Sequence, residues 1–116
     1  MPIVADFTVI EDNAVTLNSG NPTHSYPAFS ATGLSAGAQA VLTWRVLPSN
    51  PPVTLEFVLN GISIQTTTFQ STQQRTYHEV IGGNVVQSGN NILTIVRSGS
   101  GEVTVSDVYL SFQAVV

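Results

Sequence analysis

A chain of 116 residues with 42% apolar and only 9% charged side chains is long enough to bury a hydrophobic core of its own. Its formal net charge is −4 and its three cations are dispersed arginines, which excludes binding to nucleic acid or anionic membranes through clustered positive charge. The chain has no cysteine, so disulfides, thiolate catalysis and cysteine-bound zinc are excluded as well. We expect residues 1–116 to form one domain.

Runs typical of β-strands follow one another along the chain with turn residues between them, and no segment has a convincing helical pattern. The first run covers residues 3–10, and a weaker run covers 13–18. The apolar residues on one face of the first run are Ile3, Ala5, Phe7 and Val9. The spacing of these runs is typical of an all-β sandwich.

A long segment, 19–37, then separates the early strands from the clearest strand of the chain. It is rich in Ser, Gly, Pro, Ala and Thr, and it predicts either a functional loop or an irregular edge strand. From Ala40 onwards, apolar residues that include Trp44 alternate with polar ones, which predicts a half-buried strand. We expect Pro48, Pro51 and Pro52 to end this strand, because proline cannot donate to a ladder of hydrogen bonds.

The middle of the chain contains a hairpin signal. Asn60-Gly61 predicts a type I′ turn with a two-residue loop. That turn sets a register whose pairs are Leu59–Ile62, Val58–Ser63, Phe57–Ile64, Glu56–Gln65, Leu55–Thr66 and Thr54–Thr67. Residues 75–81 predict a further strand.

The last third of the chain reads as one long hairpin, with residues 98–101 as its loop and Arg97 opposite Glu102. The apolar residues of its second strand change parity after Val105. Because side chains of a strand alternate with period two, this change predicts a β-bulge or a crossing between faces near Ser106-Asp107.

Two interpretations stand for Asp107. Acidic side chains from the first strand, Asp6 and Glu11, would join it around a Ca²⁺ ion, which binds six to eight oxygen ligands. The alternative, which we favour, is that Asp107 caps the bulge and accepts hydrogen bonds from backbone N–H groups.

Aromatic and basic residues provide the candidates for ligand binding. Tyr26 in the long segment is expected to be exposed and to stack on a sugar face, and its alternative role is to plug the end of the sandwich. Arg75, Tyr77 and His78 form a polar patch on a predicted strand, for which a solvated face is the alternative. The predicted ligand-binding residues are Tyr26, His24, Arg75, Tyr77 and His78.

Catalysis has no support from the sequence. Glycoside hydrolysis needs two carboxyl groups flanking the bond, and Glu56 and Glu79 are a pair only on paper. The chain contains no nucleophile elbow and no phosphate-binding loop. We therefore expect a protein that is not an enzyme.

From Val41 onwards the chain resembles the galactose-binding-like jelly-roll modules. The motifs that carry the resemblance are V-L-T-W-R-V, L-E-F-V-L-N-G-I-S-I, Y-H-E-V-I-G-G-N-V-V, S-G-N-N-I-L-T-I and V-S-D-V-Y-L-S-F. The resemblance implies an antiparallel two-sheet jelly-roll sandwich of about eight strands, acting as a non-catalytic, lectin-like carbohydrate-binding domain. It also implies a structural Ca²⁺ between the first and last strands, with Asp107 as the matching ligand.

The alternative function is that of a structural or assembly protein, acting through contacts between the sheet faces or edges of its subunits. The low charge and the absence of lysine favour it, because interface cores are depleted of charge. On this interpretation the partner is a second copy of the chain in a homo-oligomer, and on the first it is carbohydrate.

Overall fold

The computed structural model describes residues 2–37, 39–82 and 84–115, and these form nine strands in two antiparallel sheets. The strands are β1 (Ile3–Glu11), β2 (Val15–Leu17), β3 (Thr23–Ser25), β4 (Ala40–Ser49), β5 (Val53–Leu59), β6 (Ile62–Phe69), β7 (Arg75–Ile81), β8 (Leu93–Gly99) and β9 (Glu102–Val115). One sheet has the order β1-β9-β4-β7, with β2 also on β9, and the other has the order β3-β8-β5-β6. The predicted all-β, two-sheet jelly-roll sandwich is confirmed, with nine strands instead of about eight. No described segment is a helix with the length and hydropathy needed to cross a membrane.

The hydrophobic core lies between the two sheets. Alternate residues of β4 and β5 point into it, so that Trp44 of one sheet packs on Phe57 of the other with ring centroids 4.2 Å apart. Both side chains are fully buried, as predicted for Trp44. Burial of each large apolar side chain contributes about 1.5–3 kcal/mol, so this layer is the main source of stability.

The predicted bulge in the last strand is confirmed. Thr43 of β4 faces Tyr109 of β9, whereas Arg45 faces Ser106, so β9 contains one more residue than β4 over this interval. Asp107 has a φ of 52°, the left-handed conformation that a bulge uses. The extra residue restores the alternation, and the apolar residues on both sides of it are buried in the core: Val103, Val105, Val108, Leu110 and Phe112.

The predicted hairpin of the last third is wrong, because β8 and β9 belong to different sheets. The connection at residues 98–101 crosses from one sheet to the other. Arg97 does not face Glu102 in a ladder: it donates hydrogen bonds to the carbonyl oxygens of Gly101 (2.6 Å from Nε) and Gly99 (2.8 Å from Nη2). These hydrogen bonds hold the turn that carries the chain from one sheet to the other.

The β5–β6 hairpin agrees with the predicted register only near its turn. Asn60 and Gly61 both have positive φ, 53° and 81°, as a type I′ turn requires. Leu59 faces Ile62 as predicted, but a bulge then leaves Ile64 without an opposite residue, so the predicted pairs from Phe57 onwards are wrong by one residue. Ile64 packs partly against the core, which favours the bulge.

β4 ends among the prolines that were expected to stop it, after Pro48 and before Pro51. β4 continues through Pro48 to Ser49, with Pro48 opposite Val103. The neighbouring strand β7 pairs with β4 only as far as Val46. Pro48 therefore lies beyond the β4–β7 ladder, where its missing N–H interrupts no hydrogen bond to β7. The segment 19–37 contains β3 and isolated bridges further along, which is the irregular edge strand of the prediction.

The sheet crossing at residues 98–101 generates a stability prediction. A Cβ atom at Gly101 would overlap the carbonyl oxygen of Asn50 and lie 3.0 Å from the Cβ of Val53. We expect Gly101→Ala to lower the free energy of unfolding by about 1–3 kcal/mol, measured by urea unfolding.

Gly82→Ala is the matched control for that substitution. No described residue lies within 4 Å of a Cβ at Gly82, so its effect should stay within about 0.5 kcal/mol. Equal effects of the two substitutions would contradict tight packing of the crossing.

Candidate functional site

A cleft opens where β6 and β7, the neighbouring edge strands of the two sheets, are joined. Its volume is about 230 Å³. Its lining residues are Thr68, Phe69, Gln70, Ser71, Arg75 and Tyr77. The cleft therefore combines the end of one sheet, the start of the other and the loop between them.

An aromatic cluster forms the apolar side of the cleft. The half-buried ring of Tyr77 stacks on Trp44 with centroids 5.7 Å apart and ring planes at 14°. Phe69 meets Tyr77 edge to face at 5.9 Å. Because β7 pairs with β4, which places Tyr77 opposite Trp44, the backbone ladder fixes the ring before any ligand arrives.

Polar groups form the other side of the cleft. Arg75 is exposed, and its Nη2 donates a hydrogen bond to Oε1 of Gln73 at 3.2 Å. Gln70 adds an exposed amide, and hydroxyl groups come from Thr68 and Ser71. Carboxylates are absent from the described lining, so the cleft presents hydrogen-bonding groups beside a ring but no acid or base pair.

The predicted patch of Arg75, Tyr77 and His78 is divided by the pleat of β7. Arg75 and Tyr77 line the cleft, whereas His78 projects from the opposite, outer face of the sheet. There its Nδ1 lies 2.9 Å from Oγ1 of the buried Thr43, which in turn faces Tyr109. Two of the three residues are therefore brought together.

Tyr26 and His24 lie far from this cleft. Their rings meet edge to face at 4.7 Å on and beside β3, the opposite edge of the four-stranded sheet from β6. Three strand spacings, about 15 Å, separate these edges. Tyr26 is 2% exposed, so the expectation of an exposed ring is wrong, and its burial in the core fits the alternative of a plug.

The structure does not gather the predicted Ca²⁺ ligands Asp6, Glu11 and Asp107. Asp6 and Glu11 are five positions apart on β1, about 17 Å along an extended strand. Each of the two carboxylates accepts a hydrogen bond from a nearby backbone N–H. Asp107 instead forms a half-exposed ion pair with Arg45, Oδ2 to Nη1 at 3.3 Å. The described residues contain no group of three or more His, Asp and Glu side chains that would hold a metal.

The two glutamates considered for hydrolysis are also apart. Glu56 lies on β5 and accepts a hydrogen bond from Oγ of Ser63 at 2.7 Å, whereas Glu79 lies on β7 of the other sheet. They do not line the cleft described above. The geometry gives this pair no common substrate position.

A second concave surface, the β1 groove, runs along the other edge of the five-stranded sheet. It has a volume of about 440 Å³ and a mostly apolar lining of Ala5, Asp6, Phe7, Val9, Tyr109, Ser111 and Phe112. Phe7 is 63% exposed. The alternation of residues in β1 identified this apolar face in the sequence. It did not show that the face is exposed to solvent and not packed in the core.

No family model and no curated protein sequence matches the chain. Solved structures do match. Dimeric latent PorU from Porphyromonas gingivalis aligns at 12% identity with a TM-score of 0.75, over 98% of this chain but only 13% of that protein. A CBM36-1 domain of a multidomain xylanase from the hindgut metagenome of Trinervitermes trinervoides aligns at 13% identity and a TM-score of 0.55, over 93% of this chain and 95% of that domain.

The module CBM36 in complex with calcium and xylotriose aligns at 10% identity and a TM-score of 0.50, over 95% of this chain and 98% of the module. Modules of families 29 and 6 match as well. At these identities the similarity establishes the fold. The predicted resemblance to carbohydrate-binding β-sandwiches is confirmed at that level.

The buried phenol of Tyr26 generates a pH prediction. Burial, and secondarily the Glu11 carboxylate, raise the pKa of Tyr26 above its usual range. The folded state therefore keeps a proton that the unfolded state releases near pH 10, so the free energy of unfolding falls as pH rises above about 10. Tyr26→Phe should reduce this fall, as measured by urea unfolding at pH 7 and at about pH 10.5.

At neutral pH, Tyr26→Phe should keep or raise stability, by up to about 1 kcal/mol, because its Oη has no hydrogen-bond partner among the described residues. Tyr109→Phe controls for the loss of one half-buried phenol. An unchanged pH slope in Tyr26→Phe would contradict the assignment.

Proposed function

We propose that this protein is a non-catalytic carbohydrate-binding domain and that it binds sugar in the cleft between β6 and β7. The observation that carries the proposal is the Tyr77 ring, held by Trp44 and Phe69 beside the exposed guanidinium of Arg75. The carbohydrate-binding modules among the structural neighbours support the same class of ligand.

The chemistry of the cleft matches the two surfaces of a sugar. A pyranose presents C–H groups on its ring face, which pack on an aromatic ring, and hydroxyl groups around its rim, which need hydrogen bonds. Tyr77 supplies the first surface. Arg75 and Gln70 supply planar donors at the rim, and Gln70 adds a carbonyl acceptor.

The dimensions of the cleft favour one ring or a chain end. Its volume of about 230 Å³ is below the roughly 300–1,000 Å³ of pockets that enclose drug-sized ligands. A ligand there stays partly in solvent, and few hydrogen bonds form. We therefore propose weak binding to sugars displayed in many copies, such as a polysaccharide.

The lining of the cleft supports binding without cleavage. Hydrolysis needs two carboxyl groups about the glycosidic bond, whereas the described lining offers hydroxyls, an amide and a guanidinium. Calcium is not part of this proposal, since the predicted acidic ligands are apart. We expect sugar binding to be the same with and without EDTA.

The first test is a glycan array followed by titration calorimetry with the best ligand. Arg75→Ala should weaken binding about tenfold or more, because hydrogen bonds to a charged group contribute about 1.5–3 kcal/mol. Gln70→Ala should weaken it by a smaller factor. Both side chains are exposed, so both variants should fold.

Arg45→Ala is the matched control, since Arg45 is also an exposed arginine of the five-stranded sheet but lies outside the cleft. It should bind like the unmodified protein. Absence of binding across the array would overturn the proposed function, and equal affinity in the Arg75 and Arg45 variants would place the sugar elsewhere.

A further inference from the structure

The three arginines of the chain differ in what their guanidinium groups contact. Arg45 forms an ion pair with Asp107 at 3.3 Å. Arg97 donates hydrogen bonds to two carbonyl oxygens of its own turn. Arg75, the arginine of the cleft, has no carboxylate partner among the described residues, although the chain contains seven acidic side chains. In the described part of the chain, the charge of Arg75 is thus neither balanced by an acid nor committed to a turn.

A hydrogen bond to the loop between β6 and β7 orients the Arg75 side chain. Its Nη2 donates to Oε1 of Gln73 at 3.2 Å, which leaves most of the N–H groups of the guanidinium for other partners. Two parallel N–H groups of one guanidinium match the two oxygens of a carboxylate. Residues 70–74, which form the loop, contain no charged side chain, so no acid of the loop competes for Arg75.

Arg75 and Tyr77 lie side by side in the cleft. They are two residues apart on β7, so both side chains project from the same face, with Cα atoms about 7 Å apart. A pyranose ring packed on Tyr77 would therefore direct one edge towards the guanidinium. In a hexuronic acid, the carboxylate is attached to the carbon beside the ring oxygen and projects from that edge. One such sugar residue presents an apolar ring face and a carboxylate at once.

We propose that the sugar bound in the cleft is a uronic acid, whose carboxylate pairs with Arg75 while its ring packs on Tyr77. This inference rests on the proposed function and narrows the ligand from sugars in general to sugars that carry a carboxylate. A sulfate ester fits less well. Its three terminal oxygens are arranged tetrahedrally, and the described lining has no second cation to bind the oxygen that the fork of Arg75 leaves over.

The uronic acid should be a side group or a chain end of an otherwise neutral polysaccharide. The net charge of the chain is −4, which disfavours the approach of a polyanion. Glu79 lies four residues along β7 from Arg75, about 13 Å, and Glu56 lies on β5, the strand beside β6. One carboxylate satisfies one arginine, whereas the next carboxylates of a polyuronate would find no further cation in the described lining.

A glycan array of matched sets tests the preference for a carboxylate. Glycans that end in glucuronic, galacturonic or mannuronic acid are printed beside the same glycans ending in glucose, galactose or mannose, beside the methyl esters of the acids, and beside sulfated forms of the neutral glycans. Titration calorimetry then measures the best set. We expect the acid to bind at least tenfold more tightly than its neutral partner, its methyl ester and its sulfated counterpart, because only the acid offers a planar anion to Arg75.

The outcomes of the array separate this inference from the proposed function. Equal affinity for the acid and its neutral partner would overturn the inference and leave the carbohydrate-binding function standing. Equally tight binding of a sulfated glycan would overturn the choice of a carboxylate. Absence of binding to every glycan, acidic or neutral, would overturn the proposed function together with the inference.

Substitutions of Arg75 test which residue recognises the carboxylate. Arg75→Gln keeps a donor for hydroxyl groups but removes the charge, so the preference for the acid over its neutral partner should fall to about twofold or less. Arg75→Lys keeps the charge without the planar fork and should retain an intermediate preference. Arg45→Gln is the matched control outside the cleft and should retain the full preference. A full preference in Arg75→Gln would overturn the inference.

Discussion

The left-handed residue in β9 is the constraint on which the rest of the sandwich depends. This strand of 14 residues pairs with β2 and β1 on one side and with β4 on the other. Without the extra residue at Asp107, period-two alternation would turn Val108 and Leu110 away from the core, and each loss would cost about 1.5–3 kcal/mol. Because β1 and β4 both take their register from β9, the positions of the groove and of the cleft follow from the same bulge.

A buried amide plays a comparable part at one end of the sandwich. Oδ1 of Asn91 accepts hydrogen bonds from the backbone N–H of Gln87 (2.8 Å) and from Nδ2 of Asn60 (3.0 Å), and its Nδ2 donates to the carbonyls of Gln87 and Phe29. Its four hydrogen-bonding positions are thus all used, which is the condition under which a buried polar group stabilises a fold. This one side chain therefore joins the β5–β6 turn to two segments that cross between the sheets, the β3–β4 and β7–β8 connections.

Local features of the fold were predictable from sequence, whereas the assignment of strands to sheets was not. The type I′ turn at Asn60-Gly61 and the bulge at Asp107 are set by residues close in the chain, and the predicted bounds of β7 agree with the structure. The crossing between β8 and β9 depends instead on Arg97, which binds the carbonyls of its own turn. Alternation shows that a strand has a buried face, but it does not show which strand lies beside it.

Because alternation does not show which strands are neighbours, it also did not show which strand faces are exposed at the candidate sites. Tyr77 of β7 shares its face with polar residues in the sequence, yet its ring is half-buried, because β7 pairs Tyr77 opposite Trp44. In β1 the apolar face turned outwards, because no described strand covers it. The two edges of one sheet therefore carry opposite chemistry, a polar cleft at β7 and an apolar strip at β1. Since three strand spacings separate them, about 15 Å, a ligand at one edge leaves the other free.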